Sequence, residues 1–166
     1  MIAGDKARVQ TFVRVPIEHA FDIFTLEIDA WWGRGPAFRI GGKHPGPLHL
    51  EPKLGGRIFQ QYGKDGSALH EIGKITAWDP PAHFAFTWRN VSFTDEDADT
   101  FVEVWFEPGT EGTRVTLEHR GFAAIRGDHP VRHGKPVDAF IRDMGMWWGS
   151  LVSSMREYAQ DHREAP

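Results

Sequence analysis

At 166 residues, with 40% hydrophobic and 25% charged side chains, the chain has the make-up of one ordinary soluble domain spanning 1–166, with enough apolar material for a sizeable core. Its 19 basic and 23 acidic residues give a formal charge of −4 with no basic block, which argues against a nucleic-acid partner. Cysteine is absent, which excludes disulfides, thiolate metal sites and cysteine nucleophiles and fits a reducing, cytoplasmic setting. No apolar run approaches the roughly 18 residues of a membrane span, and the N-terminal MIAGDKARVQ is too polar for a cleaved secretory signal. The unusual quantity is the aromatic content, 12 Phe, 7 Trp and 2 Tyr. It fits either a bulky solid core or the lining of a pocket for an apolar ligand.

In chain order, Arg8 to Val15 alternates as a strand, with Val9, Thr11, Val13 and Val15 on one side. Pro16 then suits a first helical turn and Glu18 its positive end, while Ile17, Ala20, Phe21 and Phe24 follow at the spacing of one apolar face. A further turn or two carries Ile28, Trp31 and Trp32 until Gly33 stops it. From Gly33 to Gly56 the chain is rich in Gly and Pro, with weak strands expected at Ala37 to Ile40 and Leu48 to Leu50. Beyond Arg57 the pattern is a meander: Arg57 to Tyr62, Ala68 to Trp78, His83 to Arg89, Thr100 to Glu107 and Thr113 to His119. Short connections between these strands predict an antiparallel sheet. A second irregular loop, Gly121 to Gly134, precedes Pro136, after which Phe140, Met144, Trp147, Trp148, Leu151 and Met155 sustain one apolar face to Tyr158. Such a helix is roughly 36 Å long, enough to lie across the whole concave face of the sheet.

The segments Val15-Pro16 through Phe21, Ala30-Trp31-Trp32-Gly33, Gly55-Gly56-Arg57, Gly73 through Asp79-Pro80-Pro81, Phe86-Thr87-Trp88, and Gly112-Thr113-Arg114-Val115 through His119-Arg120-Gly121-Phe122 carry a resemblance in their order and spacing. The chain resembles the SRPBCC superfamily of START-related lipid binders, birch-pollen-allergen-like proteins and polyketide cyclases, in the branch related to the activator of the heat-shock chaperone ATPase. The resemblance implies an α+β helix-grip fold: a curved antiparallel sheet wrapped around a long C-terminal helix, with two short helices after the first strand. It also implies a cavity between sheet and helix, without a fixed chemistry. The chaperone role is not carried over, because no preceding chaperone-docking module is read in this chain.

Strand alternation turns Phe84, Phe86 and Trp88 to one face, with Val102, Val104, Phe106, Val115, Leu117 and His119 to match. An inward imidazole is either a hydrogen-bonded core histidine or a pocket-floor group that orients a ligand or moves a proton. His70 and Glu71 face opposite sides, and parity does not decide which points inward; a buried Glu71 facing His119 would make an acid/base pair. The tandem pairs Trp31-Trp32 and Trp147-Trp148 read either as core packing or as an aromatic cage. His44, His49, His129 and His133 have no metal-ligand spacing, so neither metal nor cofactor is implied. Asp95-Glu96-Asp97 reads as a solvated turn. The ligand-site residues assigned are Trp32, Phe38, Phe59, Trp88, His119, Phe122, Met144 and Trp148, with Ile58 competing against Phe59 for the inward face. The function favoured is binding of a small apolar or aromatic molecule. The alternatives are a cyclase, dehydratase or hydrolase using His119, alone or with Glu71, and a co-chaperone-like protein-interaction module; a homodimer is compatible with each.

Overall fold

The structure, a computed structural model, describes residues 5–162. The reading of the N-terminal decapeptide therefore falls partly outside the described residues. β1 (Lys6–Val13) leads through Pro16 into α1 (Ile17–Thr25) and the single turn α2 (Ile28–Trp31), followed by β2 (Pro45–Leu50), β3 (Arg57–Tyr62), β4 (Ala68–Asp79), β5 (His83–Trp88), β6 (Thr100–Gly109) and β7 (Gly112–Arg120). Two short 3-10 turns, Phe122–Ala124 and Pro130–Arg132, precede α3 (Val137–Asp161). The strands form one antiparallel seven-stranded sheet in the order β1-β7-β6-β5-β4-β3-β2, so β1 returns to the far edge of the meander. This is the α+β helix-grip arrangement the sequence pattern implies.

Three local expectations give way. Ala37 to Ile40 is a turn and not a strand, with the Phe38 and Arg39 amides both donating to the Gly35 carbonyl. Gly33, Gly35 and Pro36 favour turning, and no neighbouring strand offers a ladder. α2 ends at Trp31, and Trp32 is already extended at ψ 136°. β4 departs from simple alternation because it carries an extra residue at two places, Ile72 against β3 and Thr76 against β5. Each bulge bends the strand and re-aims its side chains. The residues turned toward the interior are therefore His70, Ile72, Ile75 and Trp78, a set no single parity contains. At the first bulge the chain needs glycine: a Cβ on Gly73 would lie 1.6 Å from the Thr87 carbonyl oxygen.

Helix α3 lies against β1, α1 and α2. Its C-terminal half is sealed, with Trp148, Leu151, Val152, Met155 and Ala159 all buried. Its N-terminal half is looser, because Met144 and Trp147 are only partly buried and only Phe140 is closed off. Phe140 belongs to a second, smaller cluster with Ala7, Phe122 and Ile125, beneath the loop at 121–134. The two clusters meet without fusing. Among the described residues no helix is long and apolar enough to cross a membrane.

Candidate functional site

Trp88, the last residue of β5, stands at the seam between the two clusters, and open space gathers around it. A cavity of about 240 Å³ lies between the first turns of α3 and the 3-10 turn at Pro130–Arg132, with Trp88, Val131, Phe140, Met144 and Trp147 as its apolar wall. A second, of about 250 Å³, opens between the 33–40 loop and the sheet, against Trp32, Phe38, Gln60, His70, Ile72 and again Trp88 and Trp147. A small recess of about 20 Å³ runs from Trp88 to Thr100, His119 and Phe122. Trp147 divides the two larger spaces. Its ring meets Trp88 edge-on with centroids 5.7 Å apart, stacks on Phe38 at 5.7 Å, and donates Nε1–H to the Ala37 carbonyl at 2.7 Å.

The irregular 33–44 segment is held in place by a buried guanidinium. Arg39, 5% exposed, donates from Nε to the Gly33 carbonyl, from Nη1 to Asp29 Oδ1 and the Gly46 carbonyl, and from Nη2 to the Asp29 and Trp32 carbonyls. All five donors are satisfied. Desolvation pushes the Asp29 carboxyl upward, but the Arg39 hydrogen bond, the Leu48 amide and the nearby cations outweigh it and hold the group below its ordinary value. Trp32 then donates Nε1–H to the Phe38 carbonyl at 2.9 Å, and Phe38 lies so close over Gly33 that a Cβ there would sit 2.3 Å from its ring. The aromatic wall is thus a product of loop geometry.

His119 is 1% exposed and has both ring nitrogens engaged. Trp148 donates Nε1–H to His119 Nδ1 at 3.0 Å, so the ring proton sits on Nε2 and is given to Thr100 Oγ1 at 2.7 Å; Thr100 in turn donates to the Trp88 carbonyl at 2.9 Å. Burial without a facing carboxylate pushes the imidazole pKa down from 6.5 to about 3, which fixes the neutral tautomer. Glu71 does not join it: the β4 bulges leave Glu71 exposed on the outer face, while His70 lines the second cavity and donates Nε2–H to the Arg89 carbonyl at 3.2 Å. Desolvation also lowers the His70 pKa.

Of the sequence-assigned ligand residues, Trp32, Phe38, Trp88, His119, Phe122 and Met144 border these spaces. Phe59 does not. Ile58 is buried and takes the inward face, leaving Phe59 outside, stacked on His49 and beneath the Arg57 guanidinium. Trp148 is fully buried in the core, and its neighbour Trp147 is the ring at the cavities. Asn90 and Arg132, which no sequence motif singles out, also border the first cavity; an arginine in an irregular loop carries no pattern that marks it as buried. The acidic run is not wholly solvated: Asp97 accepts from the Thr94 amide and from Nε2 of His129, itself 1% exposed, and so docks the connector onto the 121–134 loop. Among the described residues no three His, Asp or Glu side chains gather in a metal-binding group.

The model for the family described as activator of Hsp90 ATPase homolog 1-like proteins matches residues 14–155, from just after β1 to Met155 of α3. The chain belongs to that family. Among solved structures, similarity of fold to other proteins spans the activator-like chain almost end to end. Protein NE0264 from Nitrosomonas europaea aligns with a TM-score of 0.65 at 13% identity, covering 98% of each chain. PFC0360w, an HSP90 activator from Plasmodium falciparum, aligns at 0.61 and 19% identity over 92% of this chain and 94% of its own. DynU16, from the dynemicin biosynthetic locus, aligns at 0.61 and 18% identity, over 93% of this chain and 46% of its own. At such identities the likeness concerns the SRPBCC-type fold alone. No curated protein matches the chain by sequence.

Proposed function

We propose that the protein binds a small apolar or aromatic molecule, without covalent chemistry, in the space around Trp88 between α3 and the sheet. One observation carries the reading: two cavities of about 240 and 250 Å³ share the Trp88 and Trp147 rings as a common wall. Each is slightly smaller than an ordinary ligand pocket of roughly 300 Å³ or more, which suits a ligand of one or two rings. His119 serves this site as a positioning residue, tying Trp148 of α3 to the Trp88 backbone through Thr100. The acid/base alternative is disfavoured because neither nitrogen of His119 is free to exchange a proton with a ligand, and Glu71, the partner offered in one form of that reading, faces outward.

The test is titration with the neutral two-ring probe 1-naphthylamine, read by tryptophan quenching. Saturable binding at one site is expected, weakened about tenfold in Trp88→Ala, where one whole wall is removed. Phe38→Ala, at the partly exposed rim, gives a second reading if the first variant folds poorly. A co-chaperone-like protein-interaction module would show no saturable uptake of the probe, and that result overturns the proposal.

A further inference from the structure

The first cavity carries a charge that its surroundings leave unanswered. Arg132, in the 3-10 turn at Pro130–Arg132, is only 9% exposed and lines the cavity beside Trp88 and Met144. Its Nε donates to the Lys135 carbonyl at 3.2 Å and its Nη1 to the Ile125 carbonyl at 2.9 Å. Nη2 has no acceptor among the described residues, and Arg132 has no ion-pair partner among them. No unpartnered polar side-chain atom is sealed off among the described residues, so Nη2 keeps contact with open space, and Arg132 is one of the residues that line the cavity.

Two neighbours sharpen the picture. Asn90 accepts through Oδ1 from the Ser92 amide and hydroxyl, which leaves its Nδ2 amide protons without an acceptor among the described residues, and Asn90 also lines the cavity. Lys135 and Asp143, the other charged lining groups, pair with each other and cancel. Apart from His133, the lining therefore keeps one net positive charge and two free donor groups above an aromatic floor. A buried guanidinium lacking a counter-charge is costly, and an anion arriving in the cavity relieves that cost while forming charge-assisted hydrogen bonds.

We infer that the first cavity takes an aromatic or alkyl carboxylate, its acid group on Arg132 Nη2 and Asn90 Nδ2 and its apolar body against Trp88, Phe140 and Met144. The inference rests on the cavity being a ligand site, as proposed above, and names the class of ligand. Comparing 2-naphthoate with 2-naphthalenemethanol by calorimetry at pH 7.5 and low ionic strength separates the two ideas, because the ring system is the same and only the charge differs. The wild-type protein should bind the acid about tenfold more tightly than the alcohol. Arg132→Met should bring the ratio to about one by weakening the acid far more than the alcohol, Arg132→Lys should restore part of it, and Asn90→Ala should lower it. Equal binding of the two by the wild-type protein, or a preference that survives in Arg132→Met, overturns the carboxylate assignment and leaves the apolar site standing. If neither compound binds, both proposals fall. Should Arg132→Met disturb its loop, the wild-type ratio still decides.

Discussion

The two ends of the interior are built from the same kinds of residue and packed to different ends. Around Phe84, the rings of Phe21, Phe24, Trp78 and Phe106 lie within 5.6 to 6.4 Å, edge-on or stacked, and Phe84 itself is wholly buried. Around Trp88, the rings of Trp32, Trp147 and Trp148 approach just as closely, at 5.5 to 6.3 Å, yet two cavities remain. The difference lies in the supports. At the first end, regular helices and strands converge; at the second, α3 meets two Gly- and Pro-rich loops, fixed by Arg39 and by the Asp97–His129 contact. Aromatic richness alone makes neither a core nor a pocket: what surrounds the rings decides.

The comparison breaks most visibly at Phe84. Phe84→Ala should cost about 3 to 5 kcal/mol, because the rings packed around it cannot all collapse into the hole. Urea denaturation measures it, and a loss below about 1 kcal/mol would mean that the solid end is as adaptable as the open one.

An intermediate effect is expected at His119, the joint between the ends. His119→Phe leaves the Trp148 N–H and the Thr100 hydroxyl without their partner, a loss of about 1 to 3 kcal/mol at pH 7. It should also change the pH profile. The folded-state pKa of about 3 lies below the ordinary 6.5, so the unfolded chain binds the proton first. The stability contributed by neutral His119 is thus complete above pH 6.5 and is lost progressively as pH falls from there toward 3. His70, shifted in the same direction, and the carboxylates titrate in both proteins, so the steeper acid slope of wild type relative to His119→Phe isolates the imidazole. NMR showing His119 protonated at pH 5.5 would contradict the neutral tautomer.

The smallest effect belongs to Trp147, the divider between the cavities. Trp147→Phe removes the hydrogen bond to the Ala37 carbonyl and should cost only about 1 kcal/mol, since the ring is partly solvated already. A loss as large as that of Phe84→Ala, in the same urea measurement, would make Trp147 a core residue and remove the contrast between the two ends.

Much of the fold is legible in the residue pattern. The period of two in β5, β6 and β7 places Phe84, Phe86, Val104, Leu117 and His119 inward, and the period near 3.6 after Pro136 marks the face of α3 that carries Leu151 and Met155. The site is legible only in part. Alternation cannot sort His70 from Glu71, because it predicts facing only in an unbroken ladder and β4 is broken twice. Nor does periodicity mark Trp147 as the cavity ring. Adjacent helical positions differ by about 100°, which aligns Trp148 with Met144, Leu151 and Met155 and puts Trp147 on the flank of the stripe, where periodicity does not say what it meets.

Sequence by itself determined the order of elements, the inward face of each regular one and the aromatic character of the interior, because these follow from local periodicity and side-chain chemistry. Tertiary structure alone decided where that interior stays open and what charge lines it. Arg39 and Arg132 both sit in irregular loops, and nothing local distinguishes them. Only the folded chain surrounds the first with acceptors for every donor and sets the second, with one nitrogen unmatched among the described residues, in the lining of a cavity, since burial and hydrogen-bond supply at a loop residue depend on segments distant in sequence.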